Sequence, residues 1–202
     1  DGRTLSAGAF IETIEKYGLG RDLDRTIITQ ALHAARARLD ANKPPFRLFI
    51  NLSAQEIQGR GILGYAEQLC TELGIPPSVI VFEILERDAI GDMTHMRKFL
   101  SDLRKKGFLF ALDDFGSGYN SFHYLRELTF DYVKIDGAFV KNIVRSKVDR
   151  TLVHNLTRLC QELGILTIAE FVESEDILQT LRSMGVDYAQ GFHLGIPASA
   201  MP

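Results

Sequence analysis

The segment Asp113-Asp114-Phe115-Gly116-Ser117-Gly118-Tyr119 sets two adjacent carboxylates between the apolar run Phe108-Leu109-Phe110-Ala111-Leu112 and a glycine-rich turn. Such a pattern reads as a buried strand delivering acids into a loop at its C-terminal end. Neighbouring carboxylates repel, and they rarely share a cleft without a cation between them. Taken alone, the pair is equally well explained by one acid capping a helix and the other lying in solvent. The same layout, however, recurs along the chain. The short apolar runs Arg47–Asn51, Val79–Glu83, Phe108–Asp113, Tyr132–Ile135, Leu166–Ala169 and Tyr188–Gln190 each end in polar groups. In order, these are Asn51 then Ser53, Glu83 then Glu86, Asp113 with Asp114, Lys134 with Asp136, Glu170 then Glu173, and Gln190.

Between these runs lie amphipathic stretches. Met96, Phe99, Leu100 and Leu103 share one helical face, as do Leu152, Leu156, Leu159, Cys160 and Leu163. Gly74, Gly107, Gly164 and Gly185 each stand between such a stretch and a strand, the left-handed helix-stop position. Strands that are apolar on both faces and alternate with helices predict a parallel sheet covered by helices, either doubly wound or a (β/α) barrel. Six strands are too few to close the usual eight-stranded barrel. In either architecture the C-terminal strand ends converge on one face, where chemistry is done.

Asn51, Glu83, Asp113, Asp114 and Glu170 form an all-oxygen ligand set, which suits Mg²⁺, Mn²⁺ or Ca²⁺ and argues against zinc or copper. Acids of this kind serve phosphoryl chemistry, in which bound ions hold a phosphate and activate water. Lys134 fits either stabilisation of phosphate charge or a structural salt bridge to Asp113 or Glu83. The five histidines show no metal-binding spacing. The 202 residues are 46% hydrophobic and 24% charged, which predicts one globular domain with a full core. A net charge of −3 and the lack of a basic block exclude a duplex-binding surface. Cys70 and Cys160 lie in apolar helical patterns and read as reduced core residues, pointing to the cytoplasm. No apolar run is long enough to cross a bilayer. A start at Asp1 without methionine reads as a piece of something longer.

Asn51-Leu52-Ser53, Glu83-Ile84-Leu85-Glu86, the Asp113–Tyr119 segment, Lys134-Ile135-Asp136, Ala169-Glu170-Phe171-Val172-Glu173 and Gln190-Gly191-Phe192 together resemble the EAL domain, the bacterial cyclic di-GMP phosphodiesterase domain. Ser6–Ile11 and Tyr17-Gly18-Leu19 resemble the segment after the family's name motif. The resemblance implies a modified TIM-type α/β barrel and hydrolysis of cyclic di-GMP to linear pGpG. It implies a two-metal site taking Mg²⁺ or Mn²⁺, with Ca²⁺ inhibitory. Asn51, Glu83, Asp113, Asp114 and Glu170 match metal ligands. Lys134 matches the lysine beside the attacking water, and Glu173 the glutamate that holds the Asp113–Tyr119 loop. Asn51 and Asp136 match positions facing substrate, and Gln190 matches a catalytic residue near the attacking water and the substrate.

The resemblance also implies departures. The family's first two strands, one bearing a glutamate ligand, are missing, so residues 1–202 read as an EAL domain lacking its N-terminal strands, the C-terminal part of a longer multidomain protein. Leu85 stands where threonine is usual, Phe171 where glycine is common, and Asn120 replaces a common serine. A GGDEF or sensor domain upstream is expected, as is a possible homodimer, with Phe122, Tyr124 and Leu125 either near its surface or in the core. An inactive receptor that binds cyclic di-GMP is the alternative function. An enolase-like or lysine Schiff-base enzyme is the third reading.

Overall fold

The computed structural model describes residues 11–52, 61–86, 93–116 and 121–198. Six strands make one parallel sheet: β1 Leu48–Asn51, β2 Ile80–Leu85, β3 Leu109–Phe115, β4 Tyr132–Ile135, β5 Leu166–Ala169 and β6 Tyr188–Ala189. Their spatial order is their chain order, with β1 and β6 at the two edges. A doubly wound sheet reverses direction at a switch point, whereas this one never does. Sequential winding is the barrel progression, here over six strands as a half-barrel.

Helices connect the strands, and the sequence explains how they start and stop. The helix Lys147–Leu163 begins at Ser146, whose hydroxyl accepts the Asp149 N–H at 3.2 Å. It buries Val153, Leu156 and Cys160 against the sheet. It ends at Gly164, whose φ of +71° is open to glycine at little strain. The expected stops Gly74, Gly107 and Gly185 also have positive φ. Among the described residues, no helix is long and apolar enough to cross a membrane.

Period-two alternation divides the strands between two environments. Ile50, Phe82, Ile84, Phe110, Leu112, Val133 and Ile135 point outward and pack with the helices in the main core. Val81, Ala111, Tyr132 and Ile168 form a smaller cluster on the other face, the barrel interior. Tyr124 and Leu125 are buried in the main core, and the Phe122 side chain lies outside the described residues.

Two aspartates latch the N-terminal ends of neighbouring strands. The Asp131 carboxylate accepts the Phe110 N–H at 2.9 Å and pairs with Arg104 at 2.6 Å. The Asp187 carboxylate accepts both the N–H and the hydroxyl of Thr167 at 2.8 Å. These bonds favour one register for β3–β4 and for β5–β6 at the end opposite the polar groups.

Candidate active site

Two residues beyond each interior apolar side chain, the alternation brings a polar one to the C-terminal end of the strand. Asn51 follows Phe49, Glu83 follows Val81, Asp113 follows Ala111, Lys134 follows Tyr132, Glu170 follows Ile168 and Gln190 follows Tyr188. Asn51 stands in register with Glu83 on the next strand. Lys134 lies at the centre. Its ammonium is 2.8 Å from Glu83 Oε1, 3.0 Å from Asp113 Oδ1 and 2.9 Å from Glu170 Oε1. The lysine side chain is 6% exposed and these three partners 7–12%, so the contacts are made away from water.

Burial and charge act on this group together. Burial raises Glu83 and Glu170 above the usual glutamate value, against the pull of Lys134. Burial alone would lower the lysine, but Glu83 and Asp113 outweigh it and hold the ammonium well above its ordinary value. One cation among three buried carboxylates leaves negative charge in excess, so both directions hold at once.

In a regular strand, Asp113 and Asp114 would point to opposite faces. The β3–β4 register shifts between Leu112 and Phe115, where three steps on β3 face two on β4. This is a bulge, the kind of irregularity that re-aims a side chain beside a site. Asp114 takes a left-handed φ of +55°, and its N–H donates to Asp113 Oδ1 at 3.0 Å. Ligand atoms of Asp113, Asp114 and Glu170 consequently lie within 4.8 Å of one another. The donors are carboxylate oxygens, partly buried and in charge excess, which fits a hard divalent cation.

Two neighbours shape the ends of β3 and β5. Phe171, just after Glu170, has a φ of +53°, the region that favours glycine. That explains physically why glycine suits the position. Its ring packs on Gly137, and Lys141 Nζ lies 4.1 Å from the ring centre. Glu86 is 1% exposed, and its Oε2 accepts the Gly116 N–H at 3.0 Å, bracing the start of the Asp113–Tyr119 loop. Sequence reasoning placed Glu86 after a strand end and gave it no role. Its one signal was an acid three residues after Glu83 with no place in the ligand set.

The remaining expected residues are dispersed. Glu173 is exposed and makes no hydrogen bond or ion pair among the described residues. The loop positions 117–120, Asn120 among them, lie outside the described residues, as does Ser53. Asp136 caps the short helix Gly137–Val140 by accepting the Ala138 N–H at 2.8 Å. Gln190 is exposed and joins Lys134, Phe49, Tyr132 and Tyr188 around an open cleft of about 470 Å³. Phe49 and Tyr188 flank Tyr132, with ring centres 5.2 and 6.3 Å away. Leu85 is in register with Asp113, and an apolar side chain occupies that position beside the acids.

A sequentially wound parallel sheet with an acid-ringed lysine at its C-terminal strand ends defines a (β/α)-barrel-type protein with a candidate divalent-cation site. The chain belongs to the EAL domain family, which it matches over residues 1–197. It is 39% identical over 199 residues to the cyclic di-GMP phosphodiesterase PdeB of Shewanella oneidensis, covering 97% of this chain and 23% of PdeB. To the cyclic di-GMP phosphodiesterase PdeF of Escherichia coli it is 32% identical, covering 96% of this chain and 26% of PdeF. The chain thus spans about a quarter of the length of these curated relatives. The solved PaMucR phosphodiesterase in complex with c-di-GMP superposes with a TM-score of 0.89 at 28% identity, covering 96% of this chain and 78% of that one. The Xanthomonas citri FimX EAL domain in complex with c-diGMP shares the fold, with a TM-score of 0.93 at 23% identity over all of this chain and 79% of that one.

Proposed function

We propose that this chain is the catalytic part of a metal-dependent phosphodiesterase that hydrolyses cyclic di-GMP to linear pGpG. The observation that carries the reading is the acid set itself: Asp113, Asp114 and Glu170 with ligand atoms within 4.8 Å, and Lys134 bonded to Glu83, Asp113 and Glu170. Two relatives named as cyclic di-GMP phosphodiesterases support it.

In this reading Asn51, Glu83, Asp113, Asp114 and Glu170 hold Mg²⁺ or Mn²⁺, while Ca²⁺ inhibits by binding without supporting turnover. Bound there, the ions supply charge neutralisation on the phosphate and a lowered pKa for the attacking water. Lys134 adds positive charge where negative charge develops on the phosphate. Asn51, Asp136 and Gln190 orient the substrate from three strand ends, and Glu86 keeps the start of the loop in place. Glu173, two residues after Phe171, holds the Asp113–Tyr119 loop in its working position. Residues 1–202 act as the EAL domain of a longer cytoplasmic multidomain protein with a GGDEF or sensor domain upstream and a homodimeric assembly. The greater length of the relatives supports the multidomain part.

The test is cyclic di-GMP turnover in Mn²⁺, with pGpG followed by anion-exchange chromatography, an EDTA control and Asp113→Asn. Metal-dependent pGpG that disappears in Asp113→Asn is expected. Unchanged hydrolysis by that variant removes the metal assignment, and tight binding without product makes the protein a receptor.

A further inference from the structure

Lys134 uses its bonding capacity in full. An ammonium has three donors, and here they meet three carboxylates: Glu83 on β2, Asp113 on β3 and Glu170 just after β5. It takes one named oxygen from each acid, Glu83 Oε1, Asp113 Oδ1 and Glu170 Oε1, and leaves the second oxygen of each outside these pairs. Asp113 and Glu170 also belong to the tight acid group that includes Asp114. Acids this close and this buried repel one another strongly unless a cation lies among them. The lysine therefore draws on the same carboxylates that a divalent ion would use.

From this geometry we infer that Lys134 is a built-in placeholder: it holds the acid ring assembled while the protein is metal-free, and yields part of that hold when a divalent cation binds. The inference rests on the metal site proposed above and deepens it. A purely structural salt bridge would matter equally with and without metal. A placeholder matters chiefly without it, because a bound cation takes over the neutralisation of Glu83, Asp113 and Glu170.

The experiment compares wild type with Lys134→Met by thermal unfolding, in EDTA and in saturating Mn²⁺, with calorimetric Mn²⁺ titration of the wild type alongside. Removing one partner of a buried ionic group leaves uncompensated charge, so the metal-free Tm of Lys134→Met is expected to fall by on the order of 10 °C. In Mn²⁺ the fall is expected to be less than half as large. An equal fall in both states, or none in EDTA, overturns the placeholder role. Absence of Mn²⁺ binding by the wild type overturns instead the metal site on which it rests. If Lys134→Met does not fold without metal, the double variant Lys134→Met/Glu83→Gln removes one repelling charge together with the lysine. Recovery of metal-free folding is expected, and failure to recover shows that the lysine acts by packing and overturns the inference.

Discussion

Asp114 separates the charge of the site from the backbone that delivers it. Its φ of +55° places it in the left-handed region, where the bulge in β3 turns its carboxylate towards Asp113 and Glu170. Most L residues are disfavoured there by roughly 1–2 kcal/mol, while Asp and Asn enter more readily because their short polar side chains bond locally. Asp114→Asn and Asp114→Ala therefore remove the same negative charge but differ in backbone compatibility. The alanine variant is expected to be less stable than the asparagine variant by about 1 kcal/mol. In a domain of this size that corresponds to a Tm lower by about 2–4 °C. Both variants are expected to lose Mn²⁺ affinity to a similar extent, since neither retains the carboxylate. Asp114→Gly should fall between them in stability, because glycine relieves the strain and adds freedom to the unfolded chain. The assays are thermal unfolding in EDTA and Mn²⁺ titration calorimetry. An alanine variant as stable as the asparagine variant would refute the claim that the left-handed bulge is what costs energy at this position.

Other perturbations probe separate parts of the structure. Glu86→Gln weakens a charge-assisted bond to the Gly116 N–H by about 1 kcal/mol, so turnover should fall by about 5-fold with the circular dichroism spectrum unchanged; unaltered turnover would show that this bond does not govern the loop. Gly137→Ala places a Cβ into the Phe171 ring and should destabilise by about 1–3 kcal/mol, a loss expected to vanish in a Phe171→Gly background. Additive losses in that double-mutant cycle would rule out the packing contact as the cause. Burial pushes the Cys70 thiol up to about 11 and the Cys160 thiol, chiefly by burial and secondarily by Asp187, up to about 12. Neither should be alkylated by iodoacetamide at pH 8 in the native protein, and both should react after denaturation, as mass spectrometry will show.

The sheet was legible in the sequence because its strands are apolar on both faces and bounded by glycine and polar residues. β4 and β5 coincide with the expected Tyr132–Ile135 and Leu166–Ala169. β3 runs to Phe115, past the expected end at Asp113, because the bulge lets pairing resume after the two acids. β6 stops at Ala189, one short of the expected Gln190. The acids and Lys134 were legible because each strand presents its polar group at the same end, and the structure brings Lys134 to Glu83, Asp113 and Glu170. The left-handed turn at Asp114 was not, since aspartate does not advertise a positive φ as glycine does; at Phe171 the one hint was that glycine is common there in the family resembled. Glu86 was equally hidden: its partner is a backbone N–H thirty residues away, which no local pattern reveals.

Because Lys134 and the three acids around it come from four different strand ends, no single strand–helix unit assembles the site by itself. Each strand pairs only with its neighbours in chain order, so the sheet can grow by successive addition of units with modest loop closure at each step. The acid ring, by contrast, exists only after β2, β3, β4 and β5 have all joined. In a refolding experiment the helical signal should therefore return before any catalytic signal. A chain stalled part-way would look folded to a spectrometer while being chemically silent.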